Sequence, residues 1–208
     1  MKLRTASRLI VIVLVVLIGG LLLVRNLWNG HAAAVTPSAT FTAGTAMGTS
    51  PAPAFTLTDQ NGASISLAAL KGHPVVLTFL DATCTTECPI TAQYLDWTAQ
   101  YLGKPASSVT WLAITVNPTN TPADVATFMS KNKVQVPLHV LLGTQAQLAP
   151  LWKAYYLEVI PAATPGGDVT HTIATYLIDS QGRERELLDQ AYDPKAAAHD
   201  LSLLLAGR

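Results

Sequence analysis

The sequence predicts an α/β domain of three layers around a mixed sheet, and three observations carry that expectation. Two continuous apolar runs, Pro74–Leu80 (PVVLTFL) and Val109–Val116 (VTWLAITV), have the length and the branched side chains of strands covered on both faces. Stretches of helical periodicity follow each of them. Short runs joined by turn residues stand on either side of this core, as antiparallel hairpins would.

The elements follow in order. Phe55–Leu67 (FTLTDQNGASISL) offers two alternating runs around Asp59-Gln60-Asn61-Gly62, a β-hairpin signal. After the first buried strand a helix is expected from about Pro89 to Leu102, because Ile90, Tyr94, Trp97 and Tyr101 recur at intervals of three or four. After the second, Thr121-Pro122 opens a helix through about Lys131, with Thr as N-cap and Pro at the first helical position. Leu138–Leu142 reads as a third strand and Gln145–Leu157 as a third helix. Pro161, Pro165, Gly166 and Gly167 mark a loop. Thr170–Ile178 is expected as one strand, Asp179–Gly182 as a turn, Glu184–Leu188 as the returning strand and Pro194–Leu205 as the final helix. This order matches the thioredoxin fold with an added N-terminal hairpin.

A different kind of segment precedes this domain. Leu9–Val24 (LIVIVLVVLIGGLLLV) is unbroken in its apolar character, follows Lys2, Arg4 and Arg8, and is closed by Arg25. As a helix it reaches about 24 Å against a hydrocarbon core of about 30 Å, and Leu27 and Trp28 extend the span while Arg25 snorkels. Cations ahead of the run favour a cytoplasmic N-terminus, which places everything after Trp28 outside the cytoplasmic membrane. Residues 1–30 are therefore expected as a single-pass membrane anchor, with a signal cleaved at Ala32-Ala33-Ala34 as the alternative. Residues 31–54 contain no Asp, Glu, Lys or Arg and are rich in Ala, Thr, Ser, Pro and Gly. They read as a flexible tether, leaving 55–208 as the folded domain.

Charge narrows the partners. The 13 basic and 13 acidic residues of the chain balance overall, but four cations come before the first acid, Asp59, so the remainder carries nine cations against 13 anions. An acidic domain without clustered Lys or Arg cannot displace phosphate counterions, and nucleic acid is not expected as a partner.

Cys84 and Cys88, the two cysteines of the chain, lie in DATCTTECPI directly after the first buried strand. On a helical turn, positions i and i+4 share a face with Cα atoms about 6 Å apart, close enough to chelate a soft metal ion or to form a disulfide. Pro89 belongs in a first helical turn and can instead leave the pair in the loop leading into the helix. In both arrangements a helix N-terminus favours the thiolate. A structural disulfide suits an exported chain, yet closing so small a loop removes little unfolded-state entropy. Of the five histidines, His31 lies in the tether, His73 precedes the first buried strand, His139 sits inside an apolar strand and His199 in an Ala-rich helix. His171 differs. It opens a strand that, running antiparallel to the central one, starts beside the end where the cysteines stand.

Cys84-Thr85-Thr86-Glu87-Cys88-Pro89, with His171 ahead of Tyr176-Leu177-Ile178-Asp179, resembles the Sco/SenC family of copper chaperones, in which CxxxCP and a distant histidine form the copper site. The similarity runs from about Phe55 to Leu205 and takes in Val116-Asn117-Pro118 and Thr121-Pro122. It implies a thioredoxin-like domain on the outer side of the cell membrane and copper as the metal, chiefly Cu(I) with Cu(II) as a second state. It also implies Cys84, Cys88 and His171 as ligands, and delivery to the binuclear copper centre of a cytochrome c oxidase subunit. Asn117 and Asn120 replace the family's usual acids, and Leu80-Asp81-Ala82 replaces its usual aromatic, Thr-His lead-in. The ligand chemistry agrees with the resemblance: two thiolates and an imidazole suit Cu(I), and no fourth ligand is evident for structural zinc. Cys84 sulfur and the His171 ring nitrogen are then expected about 3 to 6 Å apart.

Two enzymatic readings compete. The fold and the cysteine pair also permit thiol–disulfide exchange with a partner protein, with Cys84 and Cys88 as the reacting residues. Cys84-Thr85-Thr86-Glu87 further resembles the VCTTE stretch of peroxiredoxins. That family places Thr or Ser three residues before the cysteine, Pro seven before it and Arg downstream. This chain has Asp81 and Leu77 at those positions and no arginine between Arg25 and Arg183, so peroxidase activity is not expected.

Overall fold

Strand propensity early in the domain comes in brief runs, and the first strands are correspondingly short. In the computed structural model, which describes residues 19–20, 40–162 and 169–208, they are Thr45–Ala46 (β1), Thr56–Asp59 (β2) and Ser64–Ser66 (β3). β2 turns Leu57 and Asp59 inward and pairs antiparallel with β3, as the hairpin signal requires. Val75–Leu80 (β4) is buried at every position, the expected fate of a continuous apolar strand. Glu87–Leu102 (α1), Thr110–Thr115 (β5), Pro122–Lys131 (α2), His139–Leu142 (β6) and Gln145–Ala154 (α3) follow. Thr121 caps α2 in a reciprocal box with Asp124. The chain then forms Val159–Ile160 (β7), Thr170–His171 (β8), Thr175–Ile178 (β9), Glu184–Leu188 (β10) and Pro194–Leu205 (α4).

Eight strands make one sheet in the order β1-β10-β9-β4-β5-β6-β2-β3. β4, β5 and β6 are parallel, and β9 returns antiparallel beside β4 with Thr175 opposite Thr78. The period of two along β4 and β5 distributes side chains to both faces. Val76, Leu80, Trp111 and Ala113 meet α1, α2 and α4 through Leu95, Val125, Phe128 and Leu201. Leu77, Phe79, Leu112 and Ile114 meet α3 on the other face through Leu148 and Trp152. Each of these large side chains contributes about 1.5–3 kcal/mol by leaving water, and together they fix the C-terminal ends of β4 and β5. Both critical loops leave from those ends.

Three expectations are corrected. The stretch from Thr170 to Ile178 is two strands, because pairing with β4 stops at Thr175 opposite Thr78, two residues before β4 itself ends. The residues before Thr175 pair instead with β7, His171 opposite Val159. The third helix stops at Ala154 rather than Leu157, since Tyr156 takes φ +57°. There the N–H groups of Tyr156 and Leu157 turn back onto the carbonyls of Lys153 and Trp152, a Schellman closure. Residues 40–54, assigned from composition to the tether, lie on the sheet: Ala52 is buried, Phe41 and Ala43 pack on the core, and β1 pairs with β10. Buried carboxylates explain this, since Asp200 accepts hydrogen bonds from Thr42 N and Ala43 N, and Glu186 from Gly44 N.

The apolar run at Leu9–Val24, the rest of the tether and the turn at Pro165-Gly166-Gly167 lie outside the described residues, apart from residues 19–20. Among the described residues no helix is long and apolar enough to cross a membrane.

Candidate functional site

β4 ends at Leu80, and its continuation sets the site. Asp81 turns the chain so that Cys84 N donates to the Asp81 carbonyl at 3.1 Å, while Asp81 N donates to Cys88 Sγ at 3.3 Å. Cys84 stands half-buried in the loop and Cys88 buried in the first turn of α1, with Pro89 beside it where a missing N–H costs nothing. Both are free thiols. The loop alternative read from Pro89 therefore holds for Cys84, and the helix N-terminus lies next to both sulfurs.

The pair divides one proton unequally. A hydrogen bond from the Cys88 thiol, helped by backbone N–H groups and Thr86, outweighs partial burial and holds the Cys84 thiol at about 4, against an ordinary value near 9.0. The same bond, together with burial, pushes the Cys88 thiol far up, so Cys88 keeps its proton. Of the two sulfurs Cys84 is thus the one held as thiolate, the form that attacks a disulfide or binds a soft metal. A cleft of about 300 Å³ opens beside it between the cysteine loop and α2, lined by Ala82, Pro89, Phe128 and Lys131 among others.

His171 arrives from β8. Its Nε2 lies 4.0 Å from Cys88 Sγ, and its Nδ1 is 2.9 Å from the Thr172 carbonyl. A carbonyl oxygen only accepts, so Nδ1 carries the hydrogen and Nε2 presents its lone pair to the sulfur, as a metal-binding imidazole does. The contact of His171 is with Cys88, and Cys84 joins through its bond with Cys88. Among the described residues no three His, Cys, Asp or Glu side chains stand grouped so as to hold a metal ion, so the third donor of the triad would have to close in on binding. Of the other described histidines, His139 Nδ1 binds Asp59 at 2.8 Å, His199 Nδ1 lies 3.0 Å from Asp200, and His73 is exposed ahead of β4.

Beneath the cysteines is a network that sequence reading registered only as departures from a pattern. Asp81 is fully buried, and its carboxylate accepts from Thr83 N, Thr83 Oγ1, Asn120 Nδ2 and Asn117 Nδ2 at 2.7–3.0 Å. Asn120 Oδ1 in turn accepts from Ala82 N and Thr115 Oγ1. The available signal was polar residues at the ends of two adjacent parallel strands, where little else can satisfy them. Across the site, Gln190 donates to Glu87, one of the residues between the cysteines.

A thioredoxin-like sheet carrying a thiol pair at the start of its first long helix and a histidine facing that pair defines a class of redox and metal-handling proteins. The profile of the SCO1/SenC family matches residues 44–206, and the chain belongs to that family. Bradyrhizobium japonicum ScoI, solved with copper bound, is 29% identical over 74% of this chain and 99% of its own, with a TM-score of 0.65. BsSco, described as a member of the Sco family of cytochrome c oxidase assembly proteins and as having a disulfide switch, is 19% identical. It shares the fold with a TM-score of 0.66, covering 79% of this chain and 98% of its own. A Mycobacterium tuberculosis (strain CDC 1551 / Oshkosh) protein with a provisional peroxiredoxin name is 27% identical over 71% of this chain and 86% of its own.

Proposed function

We propose that this chain is an extracytoplasmic copper chaperone, tethered to the membrane by residues 1–30, that holds Cu(I) through Cys84, Cys88 and His171 and delivers it to the binuclear copper site of cytochrome c oxidase. The observation that carries the reading is the His171 Nε2 lone pair at 4.0 Å from Cys88 Sγ, beside the Cys84 thiolate. Bond lengths of about 2.0 Å for nitrogen and 2.3 Å for sulfur put two ligands of one ion about 3.7–4.3 Å apart, so ring and sulfur already stand at ligand spacing. The donor set suits soft, low-coordinate Cu(I). Copper bound to the 29% identical relative supports the same metal. Cys84 lies on an open loop next to a cleft, which gives a recipient's sulfur or imidazole a route to displace one ligand at a time.

The oxidase as recipient follows from family membership and from what BsSco is described as assembling. The anchor follows from the basic head and the apolar run of Leu9–Val24. If it holds, the mature protein begins near Met1 and stays in the membrane fraction through high-salt washing; a soluble form starting near Val35 contradicts it.

A second reading, a reductase of a partner's cysteines, is favoured by the low Cys84 thiol and its adjoining cleft. Titrating the reduced protein against a chromophoric Cu(I) chelator, with Cys84→Ser and His171→Ala beside wild type, separates the two. A chaperone loses copper in both variants, whereas a pure reductase is indifferent to His171. A peroxidase reading gains no support, because Arg183 and Arg185 both pair with Asp179 instead of serving a thiolate.

A further inference from the structure

The periodicity that marks α1 in the sequence is not the face that α1 buries. Ile90, Tyr94, Trp97 and Tyr101 recur at helical spacing, which sets them in one narrow stripe about 16 Å long. The core side of the helix is made instead by Cys88, Thr91, Ala92, Leu95 and Thr98. The stripe points outward, with Ile90 44%, Trp97 41% and Tyr101 61% exposed. Among the described residues only two other large apolar side chains, Tyr156 and Ile160, are exposed, so the openness is concentrated on this one helix. Tyr94 ties the stripe to the interior: its ring lies 5.4 Å from that of Trp97 and meets the buried Tyr192 edge-on at 5.3 Å. The ridge is braced from beneath and loses little side-chain freedom on being covered.

Its chemistry and the place where the chain enters the domain indicate what covers it. Between Glu87 and Lys104 the only charged residue is Asp96, which is buried and accepts from Gln135 N and Val136 N. A protein partner is held in register by a polar or charged rim, and along this helix the stripe is flanked only by the neutral Gln93 and Gln100. Trp and Tyr beside an aliphatic group, without charge, suit the headgroup level of a bilayer. Phe41 and Ala43 pack on the core shared by α1 and α4, and Thr42 N and Ala43 N donate to Asp200 of α4. The chain therefore joins the domain on the side of the sheet that carries the stripe. From Trp28, where the apolar span closes, to Thr40 is twelve residues, at most about 40 Å of chain. So short a tether keeps the stripe at high effective concentration over lipid, and a patch too small to hold a free protein there suffices.

We propose that the stripe of Ile90, Tyr94, Trp97 and Tyr101 seats the domain on the lipid surface, with its aromatic rings at headgroup level. The proposal rests on the reading of residues 1–30 as a membrane anchor. Cys88 stands two residues before Ile90, so the thiol pair works close to the headgroup plane, within reach of a partner embedded in the same membrane.

The test uses the full chain reconstituted in phosphatidylcholine vesicles whose acyl chains carry bromine near the headgroup end, a short-range quencher of indole fluorescence. Trp28→Phe removes the indole of the anchor. Subtracting the emission of the Trp28→Phe, Trp97→Phe double variant isolates Trp97 from the buried Trp111 and Trp152. Trp97 emission should fall at least twofold against unbrominated vesicles and stay low in high salt, because no charge pair holds the stripe. Tyr101→Glu, a change at an exposed position, should restore at least half of the lost emission. Equal Trp97 emission in the two kinds of vesicle, from chains that stay with the vesicles through high-salt washing, overturns the proposal and leaves the anchor standing. Protection of Trp97 from aqueous acrylamide only when the copper domain of an oxidase is added assigns the stripe to a protein partner and overturns it too. Chains that leave the vesicles in high salt remove the anchor and the proposal together.

Discussion

His171 Nε2 meets Cys88 Sγ at 4.0 Å across 83 residues of chain, carried there by β8, which lies outside the main sheet and pairs with β7. Its orientation comes from its neighbour, with Nδ1 spent on the Thr172 carbonyl. The site is thus built from two strand ends and one helix start, and its properties divide into separable measurements.

The thiol pair gives the first. With Cys84 held at about 4, its alkylation by iodoacetamide persists at pH 5, where an ordinary thiol is almost wholly protonated. The leading cause is the Cys88 hydrogen bond, so Cys88→Ala raises the Cys84 value and slows alkylation at pH 5 by at least tenfold, with little change at pH 9. Equal rates at pH 5 in both proteins contradict the pairing.

A second prediction concerns pH and the N-terminal clamp. Burial first, and the neighbouring Asp200 charge second, raise Glu186 from 4.5 to about 7. A raised folded value means that the folded state holds the proton more tightly. The stability it supplies is complete below pH 4.5 and is lost as pH rises through 7. The carboxyls facing Glu186 and Asp200 are each other's; His199 adjoins Asp200, and the backbone N–H groups of residues 42–44 complete the cluster. Urea unfolding of the domain should lose up to about 3 kcal/mol between pH 5 and pH 8 from this group, and Glu186→Gln should flatten that slope. A slope unchanged by Glu186→Gln contradicts the assignment.

Gly44 provides a third. A methyl added there stands 2.2 Å from the Leu187 carbonyl oxygen, closer than any real contact. Gly44→Ala must push β1 and its clamp off β10, at a cost of about 1–3 kcal/mol in the same unfolding assay. A loss below a few tenths would show that the segment is not seated.

The sheet and most helices were legible because their signals are local. β4 and β5 announce themselves as apolar runs, and α2 by Thr121-Pro122. The site was legible in its residue types, since Cys84, Cys88 and His171 were picked out by spacing and strand direction. The break after His171 was not, because it depends on where β9 stops pairing with β4, at Thr175 opposite Thr78, and on β8 pairing with β7. The seating of residues 40–54 was equally hidden. Their composition is that of a linker, and what holds them is Glu186 and Asp200, more than 140 residues later. Asp81, Asn117 and Asn120 each looked like an isolated departure, and only the adjacency of β4 and β5 shows that they complete one another.

The central claim is a copper site that needs the histidine as well as the thiols, and Cu(I) competition on His171→Ala tests it most directly. Reduced wild type should take one Cu(I) per chain from a chromophoric chelator. His171→Ala should lose at least tenfold in affinity while still reducing a disulfide substrate at a rate close to wild type, because exchange requires only the two cysteines. A His171→Ala protein that holds Cu(I) as tightly as wild type would contradict the three-ligand account.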